Sequence, residues 1–107
     1  MLKYIPLTST AQVDELVRGA GAAPIIFFKH STTCSISALA KARLERAMAD
    51  DDASVYLLDL LRFREVSNYL ADLSGVRHES PQLLVFKGGE LAYSGSHLDI
   101  DPTQVLA

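Results

Sequence analysis

The residue best suited to covalent chemistry in this chain is Cys34, the only cysteine among 107 residues. It follows an apolar run and a short polar stretch, and it directly precedes an alanine-rich segment with helical spacing. A cysteine at a helix N-terminus faces unpaired backbone N–H groups and the positive end of the helix dipole, which favours its thiolate. Because the thiolate is the form that attacks disulfides, this position predicts a redox thiol rather than a small buried hydrophobic residue.

The residues after this cysteine have the spacing of a C-x-x-C redox motif without its second cysteine. The segment is Cys34-Ser35-Ile36-Ser37, and Ser37 stands where a resolving cysteine would be. A hydroxyl cannot form a disulfide, so the pattern indicates chemistry with one thiol. Two interpretations of Ser37 stay open: it donates a hydrogen bond to the thiolate, or it is an ordinary serine of the first helical turn that bonds to the backbone. We expect Thr33 to cap the helix, with its backbone beside any bound thiol.

The composition is that of one folded, soluble domain over residues 1–107. Hydrophobic residues make up 49% and charged residues 21%, and the net charge is -3. Lysine and arginine do not gather into a basic run, so we expect no nucleic-acid partner. No segment is long enough to cross a bilayer, and we expect no membrane partner either. The N-terminus lacks the pattern of a signal peptide, and one cysteine cannot form an internal disulfide, so we expect a cytoplasmic protein.

Short apolar runs predict strands, and apolar residues at helical spacing predict helices; together these elements must position the cysteine. In chain order they are a short edge strand at 2–5, a helix after 8–10, a strand at 25–29, a helix from 35, a strand at 55–60, a helix around 66–73, strands at 82–86 and 91–94 joined by a Gly88-Gly89 turn, and a short last helix opened by Asp101-Pro102. The unbroken apolar run at 25–29 predicts a central strand, buried on both faces. In the second helix, the apolar stripe is expected to include Ile36, Leu39, Ala40, Leu44, Ala47 and Met48.

This order of elements limits the architecture. Strands joined by crossover helices are parallel, whereas a tight hairpin joins antiparallel strands. We therefore predict an α/β protein with a central mixed sheet of four to five strands, flanked by helices on both faces. The order resembles that of the thioredoxin fold, in which a redox cysteine also follows the first buried strand at the start of a helix.

Three longer strings resemble one particular family. They are FKHSTTCSIS at 28–37, GVRHESPQ at 75–82 and SHLDI at 96–100. Together they are similar to the monothiol bacilliredoxins of the bacillithiol system, the YtxJ-like proteins, and the resemblance covers nearly the whole chain. Two positions differ from the usual family pattern: Ser35 stands where proline is more common, and Leu98 stands where an aromatic residue is more common.

The resemblance implies an activity and its partners. It implies a thiol-disulfide oxidoreductase whose Cys34 removes bacillithiol, a cysteinyl glucosamine malate, from mixed disulfides with client proteins. Bacillithiol would then be a co-substrate, and we expect no other cofactor. With no second cysteine in the chain, another low-molecular-weight thiol or a partner redoxin must free Cys34 afterwards.

The resemblance also implies where the small thiol binds. In thioredoxin-like proteins the proline that matches Pro81 is cis and faces the redox cysteine, so that the backbone of Ser80 can pair with an extended ligand. We therefore expect Cys34 and Pro81 to be neighbours. Arg77 and His78 are candidates for contacting the carboxylates of the small thiol. The remaining predicted binding residues are Thr33, Ser35 and Ser37.

Other titratable residues are predicted to have no catalytic role. His30, His78 and His97 could in principle join the cysteine in a zinc site, but no pair has a recognised ligand spacing, so we expect no metal. Asp59 ends an apolar strand, where we expect it to cap the following helix rather than to relay protons.

Two further functions are compatible with the same residues. The chain could be a binding domain that uses a thioredoxin-like fold without turnover and carries a passive thiol. Alternatively, it could be a redox sensor whose Cys34 holds bacillithiol or a sulfenic acid as a signal. Turnover on a bacillithiolated client distinguishes the enzyme from both.

Overall fold

The computed structural model describes residues 2–19, 21, 23–49 and 51–105. In chain order, the elements within them are β1 (Lys3–Pro6), α1 (Thr10–Gly19), β2 (Ile25–His30), α2 (Ser35–Ala47), β3 (Ser54–Asp59), α3 (Arg64–Ser74), β4 (Gln82–Lys87) and β5 (Glu90–Ser96). Two short 3₁₀ turns follow, at His97–Asp99 and Pro102–Gln104. The predicted alternation is confirmed, although the last helix is a single 3₁₀ turn.

The strands form one mixed sheet in the order β1-β3-β2-β4-β5. The strands β1, β3 and β2 are parallel to one another, whereas β4 is antiparallel to both β2 and β5. The central position predicted for β2 is confirmed, and β1 lies at the edge. Because β2 and β4 are antiparallel neighbours, the last residues of β2 and the first residues of β4 lie side by side at one end of the strands. Cys34 follows β2 and Pro81 precedes β4, so the topology brings both segments to this end of the sheet.

Helices cover both faces of the sheet, as predicted. Side chains of β2 alternate between the faces, so Ile26 and Phe28 pack with α2 while Phe27 packs with α1 and α3. The first core also contains buried Ala40, Leu44, Met48, Val55, Leu83, Val85, Ile100 and Val105. The second contains buried Leu7, Val13, Val17, Leu58, Val66, Leu70, Leu84 and Phe86.

The predicted apolar stripe of α2 is partly wrong. Ile36 and Leu39 are 44% and 50% exposed, and Ala47 is also exposed. The buried face instead follows Ser37, Ala40 and Leu44 at spacings of three and four residues, and it continues to Met48. The buried positions 37 and 40 therefore each lie one residue after the exposed apolar positions 36 and 39. The first buried position is polar because hydrogen bonds satisfy the hydroxyl of Ser37 there.

Turn residues end the elements where their chemistry predicts. Gly75 ends α3 in the left-handed conformation with φ of 72°. Gly88 and Gly89 join β4 to β5 with φ of 59° and 81°, values that suit glycine in a two-residue hairpin turn. Asp101 caps the last turn by accepting a hydrogen bond of 3.0 Å from the Thr103 amide. None of the helices in the described ranges has both the length and the apolar character that a bilayer crossing requires.

Candidate active site

Cys34 occupies the N-cap of α2, directly before the first helical residue. Its backbone is extended, with φ of -106° and ψ of 121°, and its carbonyl accepts the first helical hydrogen bond from Ala38 at 3.2 Å. Its own amide donates to the carbonyl of Ser31 at 3.3 Å, which closes the short turn after β2. The cysteine is a free thiol and is partly exposed. The helix start predicted beside the cysteine is therefore confirmed.

The two polar neighbours of the cysteine are both exposed. The prediction that Thr33 caps α2 is wrong, because Cys34 itself holds the N-cap position and no side chain provides a capping hydrogen bond. The hydroxyl of Thr33 instead lies 3.2 Å from that of Ser31. Ser35 is the first residue of the helix. Their predicted contacts with a bound thiol stay predictions.

Ser37 is fully buried beneath the first turn of α2. Its Oγ accepts a hydrogen bond from the Ser31 amide at 3.1 Å and lies 2.7 Å from Nδ1 of His30. Of the two interpretations left open by the sequence, the structure shows the one with a backbone hydrogen bond. No hydrogen bond joins Ser37 to Cys34 among these described residues. A contact between Ser37 and substrate stays a prediction.

His30 ends β2 on the face covered by α2. Burial, and after it the positive charge of Lys41, lowers the pKa of His30, while Asp59 opposes this change. A neutral imidazole can accept at Nδ1, so the Ser37 hydroxyl is best placed as the donor to it. This uses the single hydroxyl proton of Ser37.

The Ser80–Pro81 peptide bond is cis, as the resemblance implied. Pro81 is buried directly before β4, and its carbonyl accepts a hydrogen bond of 2.8 Å from the amide of His97. Lys29 of β2 pairs with Gln82 of β4, which places Pro81 at the end of β2 where the cysteine turn begins. The hydroxyl of Ser80 is buried without a hydrogen-bond partner. The topology thus brings the segments that contain Cys34 and Pro81 to the same end of the sheet, as the prediction that they are neighbours requires.

Arg77 and His78 precede the proline in the segment between α3 and β4, and both are exposed. The carbonyl of Arg77 accepts a hydrogen bond of 2.9 Å from Nε2 of buried Gln82. Nδ1 of His78 lies 3.0 Å from Oγ of Ser67 and 3.2 Å from Nζ of Lys29. Burial first, and then the charges of Lys29 and Arg64, lower the pKa of His78, while Glu79 opposes them.

Lys29 is the polar residue of this region that the sequence reasoning missed. It lies within β2, is fully buried, and donates a hydrogen bond of 3.0 Å to the carbonyl of Ser67. Burial lowers its pKa from the usual 10.5 to about 8. The available signal was a lysine directly after the four apolar residues Ile25 to Phe28 of a central strand, since a charged residue there must find polar partners inside the fold.

His97 and Asp59 make other contacts. His97 pairs loosely with Glu79, at 3.9 Å, and not with the other histidines. Among residues 2–19, 21, 23–49 and 51–105, no three histidine, cysteine or carboxylate side chains are grouped to hold a metal ion. The prediction that Asp59 caps the next helix is wrong. Its carboxylate accepts from the Leu61 amide at 3.2 Å and closes the turn after β3, whereas Phe63 is the N-cap of α3.

A cavity of about 320 Å³ lies beside the cysteine turn, on the side of β1 and β3. Thr32 and His30 line it together with Asp59 and Arg62, and most of the remaining wall is apolar. Neither the cysteine nor the segment before Pro81 lines this cavity, so it differs from the predicted binding site of the small thiol.

Comparison with known proteins gives the family. The family model for the monothiol bacilliredoxin BrxC matches residues 5–105. A solved structure described as a candidate oxidoreductase with a thioredoxin fold is 32% identical, with a TM-score of 0.85, and the match covers 94% of this chain and 88% of that one.

More distant structures are similar in fold alone. A single-site mutant of thioredoxin from Halobacterium salinarum is 18% identical, with a TM-score of 0.68 and coverage of 94% of this chain and 82% of that one. Thioredoxin from Fasciola hepatica is 15% identical, with a TM-score of 0.68 and coverage of 92% and 89%. The predicted thioredoxin-like fold is confirmed.

Proposed function

This chain belongs to the monothiol bacilliredoxin family, and on that premise we propose that it removes bacillithiol from mixed disulfides with client proteins. The observation that carries the proposal is the position of Cys34, a free and partly exposed thiol at the N-cap of a thirteen-residue helix. Backbone amide groups at a helix N-terminus interact favourably with negative charge, which is the charge that a sulfur nucleophile carries.

The transfer needs one sulfur nucleophile. The thiolate of Cys34 attacks the bacillithiol sulfur of the mixed disulfide, so that a new S–S bond forms while the old one breaks. The client cysteine leaves as a thiolate and takes up a proton from solvent. No net oxidation occurs, because one disulfide replaces another. The thiolate of a second low-molecular-weight thiol, or of a partner redoxin, then attacks the bacillithiol sulfur of this adduct. A new disulfide with bacillithiol forms, and Cys34 leaves as a thiolate.

The absence of a second redox group follows from the sequence and fits this cycle. The C-x-x-C position that would resolve the adduct holds Ser37, and its hydroxyl is already bonded to His30 and Ser31. An adduct on Cys34 therefore has no internal route to release. We propose that Thr33, Ser35, Arg77, His78, Ser80 and Pro81 contact the small thiol while it is held there.

We further propose that the protein works in the cytoplasm with bacillithiol as co-substrate. The cycle returns Cys34 to its reduced form, and cytoplasmic conditions keep thiols reduced. Client proteins and the regenerating thiol are its partners in this proposal.

Intact-mass analysis tests the transfer directly. A client protein carrying bacillithiol is mixed with an equal amount of the reduced chain, and both masses are followed with time. We expect the bacillithiol mass to leave the client and appear on the chain, and Cys34→Ser to abolish both changes. An adduct that stays on the client in the presence of the wild-type chain contradicts the proposal.

A second arm separates an enzyme from a sensor. The chain is used at one-hundredth of the client concentration, with bacillithiol as the regenerating thiol. An enzyme clears the whole client pool at a rate proportional to its own concentration. With a sensor or a passive binding domain, removal of bacillithiol stops after about one molecule of client per molecule of the chain. That result would contradict the proposal of an enzyme with turnover.

A further inference from the structure

A buried lysine contacts the segment before Pro81, where we propose that the small thiol binds. Lys29 is fully buried in β2, and its Nζ lies 3.0 Å from the Ser67 carbonyl and 3.2 Å from Nδ1 of His78. Among the residues that the structure describes, no carboxylate lies within ion-pair distance of this nitrogen. Burying a lysine without a counter-charge costs free energy of folding, so a buried lysine whose polar contacts lie beside a candidate binding segment suggests a functional role.

The lysine restricts the imidazole of His78. Below its pKa of about 8, Lys29 is an ammonium group that only donates hydrogen bonds, so its contact with Nδ1 requires that nitrogen to accept and places the ring proton on Nε2. The Oγ of Ser67, at 3.0 Å from the same nitrogen, is a second donor from the buried side. Because the buried contacts are all at Nδ1 and the residue is exposed, the Nε2 side of the ring is the side left for solvent or a ligand.

The same segment is fixed from a neighbouring position. Gln82 is the direct partner of Lys29 across the antiparallel strands, so both side chains point to the same face of the sheet. Gln82 is 2% exposed, and its amide holds the carbonyl of Arg77 at 2.9 Å. Two adjacent buried side chains thus anchor residues 77 and 78, which precede the cis Ser80–Pro81 bond by one intervening residue, Glu79.

We propose that Lys29 is a positioning residue that holds His78 as the Nε2–H tautomer, so that a neutral N–H group is presented to a carboxylate of the small thiol on Cys34. This inference rests on the proposed function and specifies the part of the ligand that the segment before Pro81 recognises. Bacillithiol has such carboxylates on its malate group. The lowered pKa of His78 is consistent with a ring that stays neutral.

The tautomer can be measured in the wild-type chain without any reaction. In ¹⁵N-labelled protein at about pH 7, below the Lys29 pKa of about 8, long-range ¹H–¹⁵N correlation distinguishes a protonated from an unprotonated ring nitrogen. We expect His78 to show protonated Nε2 and unprotonated Nδ1. A wild-type ring protonated at Nδ1 overturns the inference, whatever the chain does to client proteins.

Kinetics then test whether the positioning matters for the ligand. With a bacillithiol mixed disulfide as substrate, we expect Lys29→Met to raise KM by about threefold to tenfold, equivalent to one hydrogen bond of ordinary strength, with kcat within about twofold. A matched disulfide of cysteinyl glucosamine, which lacks the malate carboxylates, should show no such difference between the two chains.

A double-mutant cycle separates positioning from a general structural effect. In a His78→Phe background, which has no ring N–H, Lys29→Met should change KM no further. An equal rise in KM with and without His78 overturns the inference. If Lys29→Met does not fold, Ser67→Ala, which removes the second donor to Nδ1, takes its place with the same expected dependence on His78. A wild-type chain with no transfer at all contradicts the proposed function instead, and leaves the tautomer measurement valid.

Discussion

The hydroxyl of Ser37 lies 2.7 Å from Nδ1 of His30, so the residue that replaces a resolving cysteine bonds to the end of the central strand. The same oxygen accepts the Ser31 amide at 3.1 Å. This arrangement connects the first turn of α2 to the end of β2 on either side of the cysteine turn. Ser37 therefore stabilises the turn that carries Cys34. Its hydroxyl bonds to His30 and Ser31, and the structure of the described residues shows no hydrogen bond from it to the thiol.

Removal of this hydroxyl is expected to affect folding more than thiol transfer. Ser37→Ala leaves the buried Ser31 amide without its acceptor, which costs about 1–3 kcal/mol of unfolding free energy. Transfer of bacillithiol to Cys34 should persist in the folded fraction. Urea denaturation measures the first effect and intact mass the second. Ser35→Ala is the matched control, since this exposed serine should change stability by less than about 0.5 kcal/mol. Equal stabilities for the two variants would contradict this role of Ser37.

The buried face of α2 gives a second prediction about stability. Leu44 is fully buried in the core, whereas Leu39 is 50% exposed. Leu44→Ala should lower the unfolding free energy by about 2–5 kcal/mol, because it removes buried atoms and leaves a cavity. Leu39→Ala should cost less than about 1 kcal/mol. Urea denaturation of both variants checks the difference, and a larger loss at position 39 would restore the stripe that periodicity predicts.

The sequence predicted the order and pairing direction of the elements because those depend on strong, local patterns. The apolar run of β2 and the two glycines of the last hairpin each have few alternative structures. Periodicity could not predict the face of α2, since apolar residues occur on two sides of its first turn. The buried side there is selected by Ser37, through contacts with residues six and seven positions earlier in the chain.

The candidate site was predictable to a different extent. The cysteine position and the cis proline followed from local strings and from the resemblance. The environment of His78 did not, because its partners lie 11 and 49 residues away, on α3 and β2. The choice of Thr33 as helix cap was wrong because it assumed that a hydroxyl residue must provide the cap. Here the N-cap residue is Cys34, without a capping side chain.

The buried lysine predicts that stability rises with pH in the alkaline range. Burial lowers the pKa of Lys29 from 10.5 to about 8, so between these values the unfolded chain binds more protons than the folded one. The unfolding free energy contributed by this group therefore increases as the pH rises from about 8 to 10.5. Urea denaturation of wild type and Lys29→Met at several pH values should show wild type gaining relative to the variant. A difference that does not change over this range would contradict the prediction.

The half-buried His30 predicts that stability also rises with pH on the acid side, the same sign as for Lys29. The pKa of His30 is lowered by burial and by Lys41, so the unfolded chain takes up a proton at this position before the folded chain does. As the pH falls below the usual value of about 6.5, this group makes folding less favourable. Relative to His30→Asn, whose side-chain oxygen can still accept from Ser37, wild type should lose stability between pH 7 and 5. NMR titration should also place the His30 midpoint below about 6.5, and a midpoint above it would refute this account.

The position after the cysteine should accept the proline that is more common in the family. Ser35 is the first residue of α2, where an amide has no intrahelical acceptor and where proline is favoured. The residue before a proline must be extended, and Cys34 already has φ of -106° and ψ of 121°. Ser35→Pro should therefore raise the unfolding free energy by about 0.4–1 kcal/mol, by restricting the unfolded chain. Urea denaturation beside Ser35→Ala measures this gain, and a loss of stability with proline would show that the turn at Cys34 differs from the one described here.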